Sequence, residues 1–104
     1  MDRQETIQAA LAAGRFDFTE HAAERAVVRN IGEREIKEAG SQAVTIEEYP
    51  DDKYGPTRLL LGFTGTGRPL HMQVADSPSP TVRIVTLYEP DPAEWDDHRR
   101  RKQT

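Results

Sequence analysis

The feature that most constrains this chain is a change of period near residue 40. Before it, apolar residues recur at helical spacing; after it, they alternate. Asp2 followed by Glu5 forms a capping box that opens a helix through Ile7 and Leu11, and Gly14 ends it. Thr19 caps a second helix with Ala22, Ala23, Ala26 and Val27 on its apolar side. Gly32 breaks that helix, and Glu33 to Ala39 reads as a third, stopped by Gly40. Strand-like segments then run over 44–49, 57–64, 69–75 and 81–88, separated by Gly-, Pro- and Asp-rich turns. Short connectors favour antiparallel neighbours, so these four predict a meander. Asp91-Pro92-Ala93-Glu94 has the composition of a helix start and predicts a short C-terminal helix.

The expected fold is therefore α+β, with N-terminal helices on one face of a four-stranded antiparallel sheet. A length of 104 residues leaves room for one domain, 1–104, with the basic tail 99–104 expected to fray. Alternation puts Leu59, Leu61, Phe63, Leu70, Met72 and Val74 on the helix-covered face and His71 and Gln73 on the other. Leu60, Val85 and Leu87 make that second face half apolar, so the terminal helix with Trp95, or a partner, is expected to cover part of it.

Function is best sought in the second helix. His21, Arg25 and Arg29 stand at i, i+4 and i+8 and form one row on a helix. Such a row offers an imidazole that exchanges protons near neutral pH and two permanent cations, a set suited to phosphate. The same spacing also fits a solvated face, with Arg25 and Arg29 paired to Glu24 or Glu33. Net charge is −4, which counts against binding nucleic acid through bulk charge alone. The chain has no cysteine, no stretch of membrane-spanning length and no signal peptide, so a soluble cytoplasmic protein is expected. No histidine spacing suits a metal, no glycine loop opens a helix for a nucleotide, and no cofactor is expected.

Phe18-Thr19-Glu20-His21-Ala22-Ala23-Glu24-Arg25, the Asn30-Ile31 break, Gly67-Arg68-Pro69-Leu70-His71 and Ile84-Val85-Thr86-Leu87-Tyr88-Glu89-Pro90 resemble the bacterial family called domain of unknown function 4258. The likeness runs from about Glu5 to Pro90. That family looks related to RelE-like toxins of the barnase, EndoU, colicin and RelE ribonuclease fold. The resemblance implies helices before an antiparallel sheet and the toxin half of a type II toxin–antitoxin pair, with a small protein antitoxin as partner. The family's Thr-x-His-Ala-x-x-Arg pattern falls on Thr19, His21, Ala22 and Arg25. Its Gly-x-Pro-Leu-His pattern falls on Gly67, Pro69, Leu70 and His71, and its late tyrosine falls on Tyr88.

The expected activity is metal-independent endoribonuclease chemistry by general acid and base. His21 and His71 would move protons, Arg25 and Tyr88 would assist at the reacting phosphate, and Arg29, Arg68 and Arg83 would hold the RNA substrate. His71 also fits an outward strand residue and Tyr88 a packed one. The alternative function is a non-catalytic protein-interaction module of the same fold. No membrane partner is expected, and a homodimer stays open.

Overall fold

The computed structural model describes residues 1–103. Helix α1 (Arg3–Ala12) begins at its capping box, where the Asp2 carboxylate accepts from the Glu5 amide at 2.8 Å and the Glu5 carboxylate accepts from the Asp2 amide. A short strand, β1 (Phe16–Phe18), follows. Helix α2 (Glu20–Val28) is capped by the Thr19 hydroxyl, which accepts from the Ala22 amide, and α3 (Glu33–Gly40) starts after Gly32. The strands β2 (Val44–Tyr49), β3 (Thr57–Phe63), β4 (Pro69–Ala75) and β5 (Val82–Tyr88) form the antiparallel meander that their short connectors predict.

The sheet has five strands rather than the expected four, in the order β1-β5-β4-β3-β2, with β1 parallel to β5. Three residues are too few to show alternation, so β1 leaves no periodic signal in the sequence. It is held from outside itself: Phe16 and Phe18 pack against the core beside Val82 and Ile84.

Register decides which residues face the helices. Leu60 pairs with Met72 and Met72 with Leu87. These three join Leu70, Val74, Val82 and Ile84 against Ile7, Leu11 and Ile36 in one core. The expected placement of Leu59, Leu61 and Phe63 on that side is corrected, as is that of Leu60 and Leu87 on the other. Leu59 pairs with Gln73 and Leu61 with His71, on the face away from the helices. A run of three leucines cannot fix its own phase, and a shift by one residue exchanges the faces. Gly62 fixes it here. A Cβ on Gly62 would collide with the backbone carbonyl of Ala39, so α3 lies directly on this position and the even-numbered residues of β3 face inward.

The expected C-terminal helix is also corrected. Asp91 does start one turn, accepting from the Ala93 amide with its side chain and from Trp95 with its carbonyl. A single turn gains little without propagation. The chain instead forms a hairpin of β6 (Trp95–Asp96) and β7 (Arg100–Arg101), so residues 100 and 101 are paired and not frayed. Trp95 is buried by this hairpin against the second face of the sheet, which is the cover expected of the tryptophan in a different form. No helix among the described residues is long and apolar enough to cross a membrane.

Candidate functional site

Helix α2 lies along β5, anchored by Thr19, whose amide donates to the Ile84 carbonyl at 3.0 Å and whose hydroxyl donates to the Val85 carbonyl at 3.1 Å. From this anchor the row points along the second face. His21 Nε2 is 3.5 Å from Thr86 Oγ1. Arg29 Nη1 donates to the Leu87 carbonyl at 2.8 Å, and its guanidinium lies 5.8 Å from the centre of the Tyr88 ring. Arg25, one turn from each, is half-buried and its Nε has no hydrogen-bond partner among the described residues. Glu33, one of the carboxylates that could have neutralised the row, pairs instead with Lys37. His21 and Arg29 are solvent-exposed, so the row is open.

His71 occupies a different environment. Its side chain is fully buried, 4.5 Å from the Trp95 ring centre and 5.2 Å from that of Tyr88, edge-on to both. Its Nε2 lies 2.6 Å from the His98 carbonyl oxygen, and Nδ1 lies 3.2 Å from Tyr88 Oη. A carbonyl oxygen only accepts, so Nε2 carries the proton. Burial holds the imidazole below its ordinary pKa, against the opposing pull of the His98 carbonyl. The ring is then neutral near pH 7, and Nδ1 accepts the Tyr88 hydroxyl proton. His71 therefore stands apart from His21, with both nitrogens engaged and no path to solvent while the hairpin is in place. Tyr88 turns its proton away from the row and offers only oxygen lone pairs; burial raises its pKa and keeps it a phenol.

The remaining arginines divide in the same way. Arg68 is a structural clamp: it donates to the Arg29 and Asn30 carbonyls at the end of α2, at 2.9 Å each, and pairs with Glu35 and Glu89. Those two carboxylates hold its charge and raise its pKa, Glu89 foremost. Arg83 pairs with Asp17 at 3.2 Å across the β1–β5 ladder, away from the row. Of the three arginines expected to bind substrate, Arg29 alone is exposed without a carboxylate partner among the described residues.

One cation belongs to this surface without any expectation from sequence. Arg101 stacks over Trp95 at 4.7 Å and pairs with Glu47 at 3.1 Å, while the Tyr49 hydroxyl donates to Glu47 beside it. Hydrogen bonds with Tyr49 and Glu47 raise its pKa. The run Arg99-Arg100-Arg101-Lys102 advertised charge, but nothing local distinguished the arginine that folds back.

Two clefts meet at Tyr88 and Arg101. One, of about 570 Å³, includes Arg29, Glu94 and Trp95; the other, of about 540 Å³, includes Tyr49, Leu59, Gln73 and Asp51. Together they form a groove beside the row, cationic at its middle and acidic along its rims. Among the described residues, no three His, Asp or Glu side chains converge on a point where a metal could be held.

A family model described as Domain of unknown function (DUF4258) matches residues 18–89. That span carries α2 with its row, the meander, His71 and Tyr88, and stops before the hairpin. No curated protein and no solved structure matches the chain.

Proposed function

The chain belongs to the family described as Domain of unknown function (DUF4258); since that description names no activity, we propose a metal-independent endoribonuclease, the RelE-like toxin of a type II toxin–antitoxin pair acting in the cytoplasm. The observation that carries this reading is the open row on α2, with His21 and Arg29 exposed along the same side of β5 as Tyr88. A helix rises 1.5 Å per residue, so the row spans about 12 Å, enough for a strand of RNA to meet all three side chains.

His21 takes the proton of a ribose 2′-hydroxyl, the 2′-oxygen bonds to phosphorus, and the bond from phosphorus to the 5′-oxygen breaks. The leaving oxygen takes its proton from water or from the His21 imidazolium. Arg25 and Arg29 hold the phosphate oxygens as charge gathers on them. His71 is left with a positioning role through Tyr88. The test is incubation of the purified protein with RNA, alone and with ribosomes, beside His21→Ala. Loss of a positioned proton-transfer group should slow cleavage about 100-fold or more. Cleavage that survives the substitution undiminished, or no cleavage by the unmodified protein, refutes the reading.

A second reading, a non-catalytic protein-interaction module, is favoured by a different surface. Val27 and Val28 are 81% and 71% exposed, next to an apolar groove lined by Phe16, Phe18, Ala23 and Ile31. Exposed β-branched side chains beside a groove are unusual on a free surface and suit a protein partner. In the first reading that partner is the antitoxin. In the second it is the whole function, and expression of the chain alone then leaves bacterial growth unchanged. Growth arrest that requires His21 rules the second reading out.

A further inference from the structure

The cleft beyond Tyr88 has a hydrogen-bond polarity that specifies its ligand. Gln73 stands on its floor beside Leu59. Asp52 Oδ2 accepts from Thr57 Oγ1 at 2.7 Å and from Gln73 Nε2 at 3.1 Å, and Gln73 Nε2 also donates to Thr57 Oγ1 at 3.0 Å. Because Thr57 gives its only proton to Asp52, it must accept from Gln73, which fixes the amide orientation. Thr57 Oγ1 and Asp52 Oδ2 are bonded to each other and lie on the same side of Nε2, so one N–H serves both. Oε1 has no hydrogen-bond partner among the described residues, on a half-exposed residue. The Tyr88 proton goes to His71, which leaves the Tyr88 oxygen an acceptor at the cleft, while the Tyr49 oxygen, its own proton given to Glu47, accepts from Arg101. Asp51 at the rim adds an exposed carboxylate. Cationic side chains line the opposite side, at Arg101 and, past Tyr88, Arg29.

A cleft with acceptors at one end, cations at the other and two aromatic side walls suits a flat ring bearing adjacent N–H groups joined to an anion. Among the RNA bases only guanine presents two neighbouring donors, N1–H and N2–H, on one edge. Single-stranded RNA is commonly read in this way, with an unstacked base against aromatic rings and its edge hydrogen-bonded. We propose that this cleft is a guanine-recognition pocket, with Gln73 Oε1 accepting from the base edge and Arg101 and Arg29 taking the adjoining phosphate. The inference rests on the ribonuclease reading and adds its specificity.

The experiment is titration of the full chain with the 3′-monophosphates of guanosine, adenosine, cytidine and uridine, followed by calorimetry and by backbone amide resonances. One well-made hydrogen bond in a polar cleft corresponds to about tenfold in affinity, so guanosine monophosphate should bind at least about tenfold tighter than the other three. Gln73→Met, which keeps the side-chain volume but removes the acceptor, should erase that preference in protein whose urea midpoint shows it folded. In the unmodified protein, guanosine monophosphate should shift the resonances of Leu59, Gln73 and Asp51. Equal binding of all four nucleotides, or shifts confined to α2, overturns the pocket. Guanosine-selective binding without RNA cleavage keeps the pocket and refutes the ribonuclease; cleavage with no preference for guanosine does the reverse.

Discussion

The buried imidazole of His71 gives the molecule a specific sensitivity to acid. Its pKa in the folded chain is below the ordinary value of 6.5, because burial disfavours the charged ring. As pH falls through that ordinary value the unfolded chain binds a proton that the folded chain refuses. The stabilisation is therefore complete above about pH 6.5 and lost as pH falls towards the folded value. The urea midpoint should be lower at pH 5 than at pH 7.5, and His71→Gln should flatten the part of that loss that begins near neutrality. Asp76 and Glu35 act in a more acid window: Arg58 and Arg3 hold the Asp76 carboxyl low despite its burial, and the Gly32 amide does so for Glu35. An unaltered acid profile in His71→Gln would show that the ring does not resist protonation. The hydroxyl facing it is equally testable. Tyr88→Phe leaves Nδ1 buried without a donor and should cost about 1–3 kcal/mol in urea unfolding, the range for an unsatisfied buried group.

At the scale of elements, α2 and α3 meet the sheet in opposite ways. Helix α3 packs so closely on β3 that Gly62 has no room for a side chain. Gly62→Ala must push α3 outward, and overpacking of this kind should cost about 1–3 kcal/mol by chemical denaturation. Helix α2 instead stands beside β5 and leaves both ends of its row, His21 and Arg29, exposed with Arg25 half-buried between them. Arg25→Ala and Arg29→Ala should each weaken RNA binding about tenfold, the lower end for a hydrogen bond to a charged group, with stability changed far less than by Gly62→Ala. The comparison is binding by fluorescence anisotropy against unfolding by urea; equal losses in both measurements would make the row structural. The caps of α1 and α2 and the stop before α3 were legible in the sequence because each is set by contacts within four residues. Strand β1 was not legible, since its support comes from β5, more than sixty residues away.

Across the whole molecule, the C-terminal hairpin ties the chain end back to its middle. Trp95 covers His71, Arg101 stacks on Trp95 and reaches Glu47 on β2, and the Lys102 amide donates to the Glu94 carbonyl. Trp95→Ala removes the centre of this arrangement and should cost about 3–5 kcal/mol, as large aromatic truncations in packed sites do. Unfolding should report it, together with new protease sensitivity after Asp91; a loss below about 1 kcal/mol would mean the hairpin is bound by its charges alone. The sequence by itself determined what depends on neighbours along the chain: helix starts and stops, the meander, and the alignment of His21, Arg25 and Arg29 on one helix. Tertiary structure alone decided which face of β3 is buried, that the final turn becomes a hairpin, and that one histidine is sealed while another stays open. Those outcomes depend on contacts between residues far apart in the chain, where a glycine against a helix carbonyl or a tryptophan against a ring outweighs any local preference.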